Sequence, residues 1–188
     1  AMKKIFMSCV TLLLAAVCMA NSISCSGGGD STTPRNGESS NVESVSFTAI
    51  PVIPTAKDGK TEWKYVTSSP ASTWMNKDFD DSKWSKSYNA FGTNSSNNTS
   101  WTTKDIWLRK EFSLEGHTAQ IVDSLIYTVV HDEDCEIYIN GILAVELDGY
   151  DDYKNVTISD KAKASISVNE KNTIAIHCYN GGGDGRID

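Results

Sequence analysis

Three acids stand in a row at Asp132, Glu133 and Asp134, inside the stretch HDEDCEIYING that runs from His131 to Gly141. Carboxyl groups so placed have two chemistries open to them. Glycoside hydrolysis uses two carboxyls flanking the scissile bond, about 5–10 Å apart. Calcium takes a cage of hard oxygens, and Asp132, Asp134 and Asp148, with Asp151 and Asp152 beyond, are such donors. On an extended segment Asp132 and Asp134 point the same way about 6.5 Å apart, so distance alone excludes neither. Against catalysis, three like charges in a polar loop lack the apolar pocket that raises one carboxyl into a general acid. No catalytic residue is assigned. The acid spacing is not that of an EF-hand loop, which leaves only a weak structural calcium site at Asp132, Asp134 and Asp148 and no other cofactor.

The aromatic residues offer a different chemistry. Trp101 follows the polar run NSSNNTS, and Tyr150 and Tyr153 lie in DGYDDY. Flat rings in polar loops are candidate platforms for the apolar faces of a sugar; the alternative for each is packing that anchors its own loop. Asp132, Asp134, His177 and Asn180 are the candidates for hydrogen bonds to ligand hydroxyls. Trp63, Trp84 and Trp107 have strand or motif surroundings and are expected in the core. Neither His131 nor His177 has a Cys or His at ligand spacing, which argues against zinc. No serine stands in a GxSxG context. Gly181-Gly182-Gly183 is followed by neither a lysine nor a helix, so it reads as a turn and not as a phosphate loop.

The elements that must hold these residues are strands. SFTAI and TEWKYVT alternate in the strand period. In DIWLRKEF, Ile106, Leu108 and Phe112 separate from Trp107, Arg109 and Glu111, with Lys110 interrupting the apolar face. SLIYTVV, CEIYI, ILAVEL, NVTIS and NTIAIHCYN follow, parted by Asn-Gly, Asp-Gly and Gly-Gly breakers. Short strands so spaced predict an all-β fold, a jelly-roll β-sandwich. Asn140-Gly141 predicts a tight hairpin between CEIYI and ILAVEL, because both residues accept positive φ. The three acids then lie one strand-length from the turn, at a rim where loops gather. One helix-like piece, NKDFDDSKW, is expected to make at most two turns.

The N-terminus reads as an address. Lys3 and Lys4 precede an apolar run around Leu12–Val17, too short for a membrane-spanning helix. Cys25, with Ser22, Ile23 and Ser24 before it and SGGGD after it, resembles the attachment cysteine of a bacterial lipoprotein signal, with Cys18 as its rival. The resemblance implies cleavage before Cys25 and a lipid on it. Residues 25–44 then form a flexible Ser/Gly-rich tether, and residues 45–188 the folded domain. The chain is acidic, with 17 basic and 24 acidic residues and a formal net charge of −7. That sign argues against nucleic acid as a partner. Of five cysteines, Cys135 and Cys178 remain in the folded part. In an oxidising compartment they have the option of pairing; each also suits a small core position.

The ordered set WKYVTSSPASTWMNKDFDDSKW, FGTN, TSWTTKDIWLRKEFSL, HDEDCEIYINGILAVELDGYDDY and NEKNTIAIHCYNGGG is similar to a galactose-binding-like jelly-roll domain. That domain stands beside the catalytic domains of family-2 glycoside hydrolases and related secreted bacterial hydrolases. The resemblance covers roughly residues 60–183. It implies a non-catalytic module that contacts carbohydrate or packs against a catalytic neighbour. The expectation is a monomeric carbohydrate-binding module, exported and lipid-anchored at a bacterial cell surface or periplasmic membrane face. The alternative is a structural accessory domain of a larger hydrolase. Arg186-Ile187-Asp188 reads as the start of a closing strand, so the domain is expected to lack its end.

Overall fold

Alternation between apolar and polar residues sets the strands, and their pairing sets everything else. The computed structural model describes residues 49–188, part of a unit spanning Phe47–Asp188. The expected signal segment, the Cys25 attachment point and the tether lie outside the described residues, as does most of SFTAI. The strands are β1 (Glu62–Val66), β2 (Ser85–Tyr88), β3 (Phe91–Gly92), β4 (Thr99–Ser100) and β5 (Asp105–Phe112). They continue as β6 (Tyr127–Asp132), β7 (Cys135–Ile139), β8 (Ile142–Leu147), β9 (Tyr150–Val156), β10 (Asn172–Tyr179) and β11 (Arg186–Ile187). One sheet has the order β2-β1-β5-β10-β7-β8, the other β4-β3-β11-β6-β9. The fold is an all-β sandwich, as the strand spacing predicts.

The inward faces make the core. Trp63, Ile106, Leu108, Cys135, Ile137, Ile174, Ile176 and Cys178 come from the six-stranded sheet, and Phe91, Val129 and Ile187 from the other. Each fully buried branched aliphatic side chain contributes about 1.5–3 kcal/mol, so this layer is the main source of stability. Lys110, which interrupts that face of β5, is half-buried and reaches out to donate to the Glu62 carbonyl (2.9 Å).

The outward face of the six-stranded sheet is covered as well. Segment 67–84 lies across it and packs Trp74, Met75, Phe79 and Trp84 with Trp107, Ala175 and Tyr138. A buried guanidinium pins it there. Arg109 is 2 % exposed, donates Nε to Asp81 (2.9 Å), and donates Nη1 to the carbonyls of Trp74 and Asn76. The segment contains NKDFDDSKW, and it is built of turns, not the expected helix. Its acids and Asp80-to-Ser82 backbone bonding favour turns over a helical ladder. Among the described residues the helical turns lie elsewhere, in a 3-10 helix over Ala119–Ser124 and in α1 (Asp160–Ala164), which is capped by the Ser159 hydroxyl accepting from Ala162 N. Ala162 of α1 packs with Ile139, Ala144 and Ile158 and closes the Phe112 end of the sandwich.

The Asn140-Gly141 hairpin is present. Ile139 pairs with Ile142, and the two turn residues have φ of 50° and 84°. Asn140 also ties the turn to β10, because its Oδ1 accepts from Thr173 N and its Nδ2 donates to Asn172 Oδ1. Arg186-Ile187 does pair as a strand, between β3 and β6.

Candidate functional site

At the Asp105 end of the sandwich three loops converge: 101–104 between β4 and β5, 133–134 between β6 and β7, and 180–185 between β10 and β11. The first and third of these, with Thr93 after β3, line an open groove of about 400 Å³ through Thr93, Thr102, Thr103, Lys104, Asn180 and Gly181–Gly183. The loops are held by backbone bonds. Asn180 N donates to Lys104 O (2.6 Å), and Gly182 N donates to Asn180 Oδ1 (2.8 Å). Lys104 Nζ stands over the Tyr179 ring, 5.6 Å from its centre.

Two of the three acids serve this end as ties. Glu133 Oε2 accepts from Gly181 N (2.7 Å), and Asp134 Oδ1 accepts from Gly149 N (2.8 Å). Fully buried His131 donates Nδ1 to the Glu133 carbonyl (2.8 Å). The Glu133 and Asp134 carboxyls therefore diverge to separate loops. Burial, then repulsion from Glu133 and Asp184, pushes the Asp132 carboxyl above its ordinary range. Among the described residues no three His, Cys, Asp or Glu side chains gather as metal ligands. The weak calcium site at Asp132, Asp134 and Asp148 is thus not supported, because Asp134 is engaged with backbone and the three do not converge.

Trp101 is not a platform. It is 1 % exposed, lies in the core, and donates Nε1 to Thr103 Oγ1 (3.1 Å) and to the Asp105 carbonyl (3.2 Å). A polar sequence neighbourhood does not report which way a ring turns. Tyr153 is not free either. Its hydroxyl donates to Asp188, and the Lys57 ammonium (3.8 Å) and the Arg186 guanidinium (5.3 Å) both stand over its ring. Tyr150 is 80 % exposed but lies on β9, outside the groove lining. Both tyrosines belong to a strand where DGYDDY suggests a loop.

His177 faces outward from the six-stranded sheet. β10 sets it opposite Trp107 on one side and Glu136 on the other. Its ring stacks on Trp107 (centroids 4.7 Å, planes 9° apart), and Nε2 donates to Asp105 Oδ1 (2.8 Å). Tyr138 donates to Glu136 (3.2 Å); burial, then the charge of Glu136, pushes the phenol up to about 12. Of the seven candidate binding residues, only Asn180 lines the groove. Thr93, Thr102, Thr103 and Lys104 were not legible as site residues. The one signal that Thr102, Thr103 and Lys104 carry is the polar run TTK beside a strand start.

No family model and no curated protein matches the chain. Solved structures do, 42 chains in all. A beta-glucuronidase of Bacteroides uniformis aligns with TM-score 0.47 and 17% identity, over 65% of this chain and 15% of that one. A glycosyl hydrolase family 2 member of Bacteroides cellulosilyticus DSM 14838 aligns with TM-score 0.47 and 16% identity, over 64% and 17%. A beta-glycosidase of Bacteroides vulgatus aligns with TM-score 0.46 and 15% identity, over 68% and 19%. This chain thus spans less than a fifth of the length of each of these enzymes.

Proposed function

We propose that the domain is a non-catalytic carbohydrate-binding module, exported and held at a membrane through Cys25, with the loop-end groove as its sugar site. The observation that carries this reading is the chemistry of the groove wall. The Thr102 hydroxyl both donates and accepts and Lys104 donates, beside Thr93 and Thr103 hydroxyls and Gly181 and Gly182 amides that are bonded within the protein. A sugar presents the same mixture of donors and acceptors. At about 400 Å³ the groove falls within the range of small-ligand sites, roughly 300–1,000 Å³. The acids beside the groove are taken up by the protein: Glu133 accepts from Gly181 N (2.7 Å) and Asp184 accepts from Thr93 Oγ1 (3.2 Å).

The test is titration calorimetry of the chain from Ser26 onward against a glycan panel. Saturable binding to one glycan class is expected, weakened about tenfold by a Thr102→Ala, Lys104→Ala double variant with unchanged Tm, roughly the loss of one charge-assisted hydrogen bond. A folded chain that binds no glycan overturns the reading. A second reading, an accessory domain of a larger glycoside hydrolase, is favoured by Ile142 and Leu143. These neighbours on edge strand β8 are 39% and 41% exposed, and an apolar sheet edge suits packing against another domain.

A further inference from the structure

We propose that Cys135 and Cys178 form a built disulfide site that bolts β7 to β10 through the core when the chain is oxidised. Both are free and buried. They are direct partners in the β10–β7 register. The backbone bonds flank the pair and do not join it: Tyr179 N donates to the Asp134 carbonyl (2.8 Å), one residue beyond each cysteine. That pattern marks a non-hydrogen-bonded antiparallel pair, in which the Cα atoms sit about 4.5 Å apart and the side chains approach most closely. A disulfide spans Cα separations of about 4.4–6.8 Å, so the bond closes without moving either strand. Both side chains lie on the inward face, with Ile137 and Ile176 as the next pair along it. The neighbouring Cys178 thiol, then burial, holds the Cys135 thiol well above its ordinary range, and the Cys178 thiol itself faces the Arg186 carbonyl (3.9 Å). The folded dithiol is therefore a poor nucleophile, and the bond forms while the strands are still assembling.

The exchange is balanced by a protein or small-molecule disulfide of the export compartment. One cysteine thiolate attacks that disulfide and releases its first thiol. The second cysteine then displaces the other. Two protons and two electrons leave the pair, and the oxidant becomes a dithiol or two thiols. In the cell the proposal rests on the export read from the N-terminus, whereas the test below supplies its own oxidant.

The full chain is unfolded in denaturant with reductant, refolded in oxidised and reduced glutathione, alkylated, digested and analysed by mass spectrometry. The expected product joins the Cys135 and Cys178 peptides, about 2 Da lighter than the sum of the two thiol peptides. Alkylation of both cysteines, or linkage of either to glutathione or to Cys25, overturns the proposal. Dithiothreitol should lower the Tm of the oxidised chain by about 5–15 °C and leave the Cys135→Ala, Cys178→Ala double variant unmoved. An equal fall in both overturns it as well.

Discussion

Trp101 illustrates how far a residue's chemistry depends on direction. Its neighbours in sequence are polar, yet β4 hands the chain inward at this point: Trp101 N donates to the Gly92 carbonyl (2.9 Å), and the indole enters the core. Trp101→Ala should therefore unfold the domain more readily, by about 3–5 kcal/mol in urea denaturation, the usual loss for a large aromatic in a core. A variant with unchanged midpoint would return Trp101 to the surface. His177 shows the converse. Alternation in NTIAIHCYN does place it outward with Tyr179, but its stacking on Trp107 depends on a register that no local pattern encodes.

At the level of elements, the reading from sequence was closest where period and turn chemistry agreed. DIWLRKEF, CEIYI and ILAVEL are β5, β7 and β8 residue for residue. Asn140-Gly141 joins the last two because only such a pair accepts two successive positive φ values. A Cβ on Gly141 would sit 2.9 Å from Asn76 Oδ1, on top of its left-handed backbone. Gly141→Ala should cost about 1–2 kcal/mol in denaturant midpoint, and more if the segment bearing Asn76 cannot yield. An equal midpoint would mean the turn has another conformation. NKDFDDSKW and DGYDDY went the other way. The first has helical spacing but turn-forming acids, and the second has turn residues but a strand partner in β6.

The molecule as a whole has a third layer, segment 67–84, clamped to the outer face of the six-stranded sheet. Burial raises the Asp81 carboxyl, but hydrogen bonds from Lys64 and Arg109 outweigh it and leave the group below its ordinary value. A carboxyl lowered by folding stabilises above its unfolded pKa, and that support is lost as pH falls through the folded value. The wild-type Tm should therefore drop on acidification below about pH 4, and Asp81→Asn should blunt that drop. Arg109→Met leaves Asp81 without its buried partner and should cost about 3–5 kcal/mol at pH 7 by urea denaturation. An acid limb identical in wild type and Asp81→Asn would remove this ion pair from the stability of the fold.

The amino-acid sequence alone was enough for the class of fold, most strand spans and the hairpin turn. These are properties of local period and turn residues, which each segment carries alone. Which residues share the groove follows from strand pairing alone. Thr93, Thr102, Lys104 and Asn180 are brought together by strands that pair across long stretches of chain. Only the register of β10 against β7, in turn, sets Cys178 opposite Cys135. Pairing partner and register are set by packing two sheets around one core, and a strand's own residues fix its faces without naming its neighbour.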